Sequence, residues 1–167
     1  DVRKFGFLKL LKNKNINMSN HLKYLGPEPL TKKFNLNYVV KYIANKKMII
    51  KNLLMDQKFV SGLGNIYCNE ILFLSKLNPS TIVRRISKKN LINVVKFTKK
   101  ILKVSIIQGG SSIKNFSNTE GINGNFQQKL NVYNREKSKC NRKNCTGIIQ
   151  KIYTSSRSSF YCPKCQK

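Results

Sequence analysis

Apolar residues recur three and four positions apart along most of the chain, the period of helices with one buried face. NLNYVVKYIAN at 35–45 carries this spacing, and MIIKNLLMDQKFV at 48–60 carries it again. SGLGN at 61–65 must break the helix, because two glycines in five residues do not sustain one. The pattern resumes in IYCNEILFLSK, 66–76, and stops at Asn78-Pro79. KKNLINVVKFTKKILKVSIIQ, 88–108, is a long amphipathic helix ending at Gly109-Gly110. Ahead of these, residues 1–12 are apolar and partly alternating and read as a strand. Residues 13–28 are a linker, whose end is stiffened by the two prolines of GPEPL, 26–30. Residues 111–126 are polar and Gly-containing, a long loop of the kind that is usually functional. IIQKIYTSSRSSFY, 148–161, has β-formers on both sides of a Ser-rich tip and reads as a hairpin. The chain therefore divides into 1–12, 13–28, a helical domain over 29–130, and a small β unit over 131–167. It is mainly α, with four or five helices.

Charge then narrows the partners. Among 167 residues there are 33 Lys and Arg against 6 Asp and Glu, a net charge of +27. Lys and Asn are abundant everywhere, as A- and T-rich codons would produce, and that accounts for part of the excess. The remainder calls for a polyanion, whose phosphates exchange condensed counterions for lysines. The basic residues are not confined to one amphipathic helix, which disfavours a membrane surface. Apolar runs are short, so no membrane span is expected, and DVRKFGFLKL has no signal-peptide core.

Composition also limits catalysis. The one histidine is His21, and the acids Asp1, Glu28, Asp56, Glu70, Glu120 and Glu136 are scattered. Neither a carboxylate-clustered two-metal nuclease nor a triad hydrolase is well supplied.

The cysteines are more specific. Cys140, Cys145, Cys162 and Cys165 fall in the last 28 residues, as C-x4-C and C-x2-C flanking the hairpin. Two knuckles around a hairpin-length insert make a four-cysteine zinc ribbon, holding one structural zinc ion. Two disulfides are the alternative, disfavoured by the missing export signal and by the CPKC knuckle. Cys68, in an apolar helical run, reads as a core residue.

SGLGN offers a second site. Gly62 and Gly64 can take positive φ, and a helix starting near Asn65 would present free N–H groups to an anion. A plain glycine turn is the competing reading.

Taken together, these segments resemble formamidopyrimidine-DNA glycosylase. LMDQKFVSGLGNIYCNEILF (54–73) is similar to that family's helix–two-turn–helix signature. DVRKFG (1–6), LGPEPL (25–30), IIQGGSSIKNF (106–116), LNVYNR (130–135) and RSSFYCPKCQK (157–167) match further segments in the family's order. The resemblance implies a helix–two-turn–helix DNA-binding domain followed by a zinc-ribbon hairpin. Residues 1–12 would then be the last strand of an N-terminal β-sandwich. It implies excision of oxidised purines such as 8-oxoguanine and formamidopyrimidines, then β,δ-elimination at the abasic site. The partner would be damaged double-stranded DNA.

Residue by residue, the resemblance makes Arg3 and Phe5 the pair that fills the vacated base position. Lys46 and Asn65, with Gly62 and Gly64 of the turn, would grip phosphate, and Lys51 would face the lesion pocket. Ser111, Ser112 and Phe116 belong to a loop, 111–126, that would cap the flipped base. Arg157 matches the arginine of δ-elimination; a guanidinium is a poor acid, so it reads as a bidentate phosphate clamp. The C-x4-C knuckle departs from the more usual C-x2-C. The family's nucleophile, an N-terminal proline amine, and its catalytic glutamate and lysine have no counterpart here. The chain is therefore expected to be the C-terminal part of the enzyme, inactive alone and monomeric. Its expected location is cytoplasmic, at the nucleoid, or organellar, and not secreted. Two other readings stand beside it: a stand-alone, non-catalytic zinc-ribbon nucleic-acid-binding protein, and an endonuclease VIII-like glycosylase for oxidised pyrimidines.

Overall fold

The computed structural model describes residue 10, residues 22–110 and residues 126–167. Arg3, Phe5, Ser111, Ser112 and Phe116 lie outside the described residues, as do most of the expected strand and linker and all but the last residue of the expected capping loop. The described chain forms four α-helices and one hairpin: α1 (Leu36–Ile43), α2 (Ile50–Met55), α3 (Asn65–Leu74), α4 (Lys88–Ile107), β1 (Gln150–Thr154) and β2 (Arg157–Tyr161).

Helix boundaries follow local hydrogen bonding more than apolar spacing. α1 starts where Asn35 caps it, its Oδ1 accepting from Tyr38 N at 3.0 Å. α2 is much shorter than the 48–60 expected. Ile49 is extended and bridges Ile82, so the helix cannot begin earlier. It ends because Asp56 turns the chain: its carbonyl accepts from Phe59 N and Val60 N, and its carboxylate from Lys58 N. Gln57 then braces the second turn, accepting from Gly62 N and donating to Leu63 O. Phe59 and Val60 are fully buried from this two-turn segment, so apolar spacing reported their burial and not their conformation.

α3 is the centre of the molecule. It lies against α2, α4 and β2. Cys68, Asn69, Glu70, Ile71, Leu72 and Phe73 are all buried, so the helix has no solvent face through its second half. α4 is capped by Ser87 and buries Leu91, Val94, Thr98, Ile101 and Ser105. Two apolar clusters result. The larger runs from Phe34 through α1, α2, α3 and α4 to Phe126. The smaller joins Phe73 to Val132, Cys140, Ile149, Phe160 and Cys162. Phe73 of α3 thus belongs to the core of the β unit.

The hairpin is antiparallel, with Thr154 opposite Arg157 and Gln150 opposite Tyr161. Ser155 and Ser156 have φ of 48° and 61°, a two-residue turn with both central residues left-handed. Each non-glycine residue held there is strained, so the tip is fixed by its surroundings.

Glu70 ties the two clusters together. Its buried Oε1 accepts from Val132 N and Tyr133 N, and Oε2 from Asn131 N and Asn131 Nδ2, all at 2.8–2.9 Å. Four charge-assisted bonds satisfy the carboxylate without a cation. Glu70→Gln replaces one acceptor oxygen with a donor that faces N–H groups. It should cost about 2 kcal/mol in denaturant midpoint with an unchanged slope. Exposed Glu136→Gln should cost less than about 0.5 kcal/mol.

Candidate nucleic-acid interface and metal centre

Four polar side chains from α2 and α3 fasten the hairpin. Lys51 is only 1% exposed. Its Nζ donates to Asn69 Oδ1 at 3.2 Å, Ser158 O at 3.3 Å and Ser159 Oγ at 3.0 Å. An ammonium has three protons, and three acceptors take them. Asn65 Nδ2 donates to the same Ser158 carbonyl at 3.1 Å. Asn69 Oδ1 also accepts from Phe160 N at 2.8 Å. Asn52 Nδ2 donates to Ser155 Oγ at 2.7 Å and holds the tip.

These contacts leave Arg157 exposed at the start of β2 beside a cavity of about 190 Å³. Lys51, Asn52, Met55, Asp56, Thr154, Ser155 and Arg157 line it. Burial pushes the Lys51 ammonium down to about 8; Cys68 opposes that shift and the Arg157 guanidinium adds to it. Two cations against one carboxylate make the cavity attractive to an anion.

The site residues expected from sequence are partly assembled here. Lys51 and Arg157 share the cavity, and Asn65 binds the strand that carries Arg157. Lys46 stands apart and exposed after α1, its Nζ 5.1 Å from the Tyr42 ring centre. Of the two glycines able to take positive φ, Gly62 does so, at 83°. Gly64 does not: at φ −112° and ψ 175° it is the extended N-cap of α3, a geometry open to any residue. The helix does begin at Asn65. Sequence reasoning passed over Asn52 and Asn69. The signal for Asn69 was the polar pair Asn69-Glu70 inside the apolar run IYCNEILFL.

The four late cysteines converge. Their sulfurs all lie within 4.8 Å of one another. Cys140 Sγ is 3.8 Å from Cys165 Sγ, and Cys145 Sγ is 3.7 Å from Cys162 Sγ. Disulfide sulfurs sit about 2.05 Å apart, so these are four free thiols. Four metal–sulfur bonds of about 2.3 Å in a tetrahedron put sulfurs about 3.8 Å apart, which these distances match. The longer first knuckle therefore still brings its two sulfurs into one cluster with those of the second. Gly147 makes room for it: a Cβ there would stand 2.5 Å from Cys162 Sγ.

Both knuckles are seated on the end of α3. The Arg142 guanidinium lies over the Phe73 ring and donates to Phe73 O at 2.6 Å. Buried Gln166 accepts from Cys162 N and donates to Leu77 O, each at 2.8 Å. Cys68, by contrast, is a core residue of the helical cluster, its thiol pushed up to about 12 by burial. No helix among the described residues is long and apolar enough to cross a membrane.

Fold and site together define a helix–two-turn–helix unit that carries a four-cysteine ribbon. The model of the formamidopyrimidine-DNA glycosylase H2TH domain matches residues 25–117. A formamidopyrimidine-DNA glycosylase of Roseobacter denitrificans is 38% identical over all of this chain, which spans 59% of that relative's length. Among solved structures, the Lactococcus lactis Fpg bound to DNA with an abasic site superposes with a TM-score of 0.91 at 33% identity. That match covers 100% of this chain and 60% of the other. A MutM in complex with DNA containing carbocyclic 8-oxo-G gives 0.89 at 33% identity, covering 100% and 60%. The chain belongs to the formamidopyrimidine-DNA glycosylase family.

Lys51 should titrate near pH 8, followed through its side-chain resonances by NMR. Its folded value lies below the ordinary 10.5, so between about pH 8 and 10.5 the unfolded chain holds the extra proton. This group's contribution to stability therefore rises across that window and is at its least favourable below pH 8. Gly147→Ala should lower metal content per chain, measured by elemental analysis, while leaving the helical signal in place.

Proposed function

We propose that this chain is the DNA-gripping part of a base-excision enzyme acting on oxidised purines. Such an enzyme removes bases such as 8-oxoguanine and formamidopyrimidines and cuts the abasic strand by β,δ-elimination. Family membership supports this reading, because the matched relatives are named for that glycosylase activity. The observation that carries it is the convergence of Arg157, Lys51 and Asn65 where hairpin and helices meet. The superposed neighbours hold DNA with an abasic site and with an 8-oxo-G analogue.

The division of labour follows from the chemistry of each group. Arg157, exposed at the strand end, presents a planar fork suited to two phosphate oxygens. In strand cleavage it stabilises charge on the leaving phosphate and need not lose a proton. Asn65 starts α3, so the helix's free N–H groups lie beside it to receive a second phosphate. Arg3 and Phe5 fill the position the damaged base leaves, and Ser111, Ser112 and Phe116 cover the base itself. Cys140, Cys145, Cys162 and Cys165 hold one zinc ion, which would keep all four sulfurs as thiolates and so join the knuckles. The reacting amine is not assigned to any residue here, and the chain on its own is read as a monomer that binds without cutting.

Binding to a duplex carrying an abasic-site analogue, followed by fluorescence anisotropy, tests this. The 167-residue chain should bind with an affinity that falls steeply with salt. Arg157→Ala should weaken binding about tenfold with zinc retained. Borohydride should trap no covalent adduct with abasic DNA. No binding at low salt would overturn the reading, and efficient trapping would place a nucleophile within this chain.

A further inference from the structure

Asn69 is 1% exposed and lines neither the cavity nor the surface. Its carboxamide is nevertheless fully used. Oδ1 accepts from Lys51 Nζ at 3.2 Å and from Phe160 N at 2.8 Å. Nδ2 donates to Asn65 O at 2.7 Å. Two donors from different elements meet on one oxygen, and an acceptor faces the nitrogen, so the amide has one orientation. Few side chains can do both: leucine fills the space but accepts nothing, and a serine is too short to reach both donors.

What this amide holds is the strand of Arg157. Phe160 is three residues from Arg157 on β2, and Lys51, held by Asn69, in turn holds Ser158 and Ser159 between them. Arg157 therefore leaves the protein one residue from an anchored segment. Its partner across the hairpin, Thr154, is buried and shares a hydroxyl contact with Ser159. The strained Ser155–Ser156 turn beyond it is pinned by Asn52. Among the described residues Lys51 is the cation that bonds to Asn69, so the buried ammonium and this amide stand or fall together.

We propose that Asn69 is a positioning residue for Arg157: with the Lys51 ammonium it fixes strand β2 on α3 and so sets where the guanidinium meets phosphate. The proposal rests on Arg157 being a phosphate clamp, and adds a residue that touches no DNA. Removing Asn69 leaves Phe160 N and Lys51 Nζ each short of an acceptor in a buried place, and the strand shifts to find others. The guanidinium then loses its two-oxygen geometry while its charge remains.

A double-mutant cycle separates positioning from general stability. Asn69→Leu should weaken binding to the abasic-site duplex about tenfold in the wild-type background and less than about twofold in the Arg157→Ala background. Asn69→Asp keeps an acceptor for Lys51 Nζ and Phe160 N but turns its second oxygen toward Asn65 O, so it should recover part of the loss and not all of it. Equal losses in both backgrounds, or no recovery by Asp, would overturn the proposal. If the Leu variant does not fold, Asn69→Ser replaces it in the same cycle. Should the unaltered chain fail to hold the duplex, the functional reading falls, and amide exchange in the free protein decides for Asn69. There the Phe160 amide should exchange faster in the Leu or Ser variant, and an unchanged rate refutes the anchoring.

Discussion

A helix buried on every side has nowhere to send its polar side chains except into other parts of the protein. That constraint organises this molecule. Asn69 and Glu70 are adjacent on α3, about 100° apart around the helix, and both are buried. Each must find partners, because a buried polar group left unpaired costs on the order of 1–3 kcal/mol and more when charged. Asn69 finds the hairpin, and Glu70 finds the segment 131–133 that enters the β unit. Phe73 O in the last turn of α3 takes Arg142, and Leu77 O, three residues past the helix end, takes Gln166. The path, both knuckles and the hairpin of the β unit are thus located by one helix. The two apolar clusters meet at Leu74, which packs against both, and are not independent layers.

The cluster of four cysteines alone would not place Arg157. Arg157 is five positions ahead of Cys162, a reach of about 17 Å along an extended strand. A hairpin fixed only at its cysteine end would pivot there. A two-stranded ribbon has little stability of its own in water. The polar contacts from α2 and α3 shorten the free lever to a single residue. Lys51 is the costly member of that set. Its burial lowers the ammonium's affinity for its proton, and the nearby guanidinium pushes the same way. Three acceptors meet the ammonium's three protons, one of them Asn69.

Much of this was legible in the sequence, for reasons that differ by element. The cysteine spacing announced the convergence of four thiols able to hold a metal ion, because ligand spacing leaves a pattern no packing argument would produce. The long α4 was plain, since its apolar stripe and Ser87 cap point to the same start. α2 was overextended, because Phe59 and Val60 satisfy helical spacing while sitting in consecutive turns made by Asp56 and Gln57. Turn chemistry of that kind is local and can be read; it was outweighed by periodicity. The sequence left Gly62 and Gly64 equally open to positive φ, because glycine permits that conformation without requiring it, and only Gly62 uses it. Asn69 left a fainter trace, since a polar residue in an apolar run signals burial with a partner but not which partner. Lys51 is the harder case: nothing in KNLLMDQ separates a buried lysine from a solvated one, as two of its three acceptors lie more than a hundred residues later.

The charge imbalance acquires a sharper meaning from this arrangement. Of the few carboxylates, Glu70 is spent on main-chain N–H groups and Asp56 on the turn. Neither is free to neutralise the lysines at the surface. A chain of net charge +27 is then drawn to any phosphate backbone, with long range and little discrimination. Selectivity for a damaged, opened duplex has to come from groups whose positions are fixed, because diffuse charge does not distinguish one duplex geometry from another. The buried polar stitching between α3 and β2 supplies such a position for one arginine. A substitution there leaves net charge almost untouched, so it should alter which DNA is held more than whether DNA is held at all.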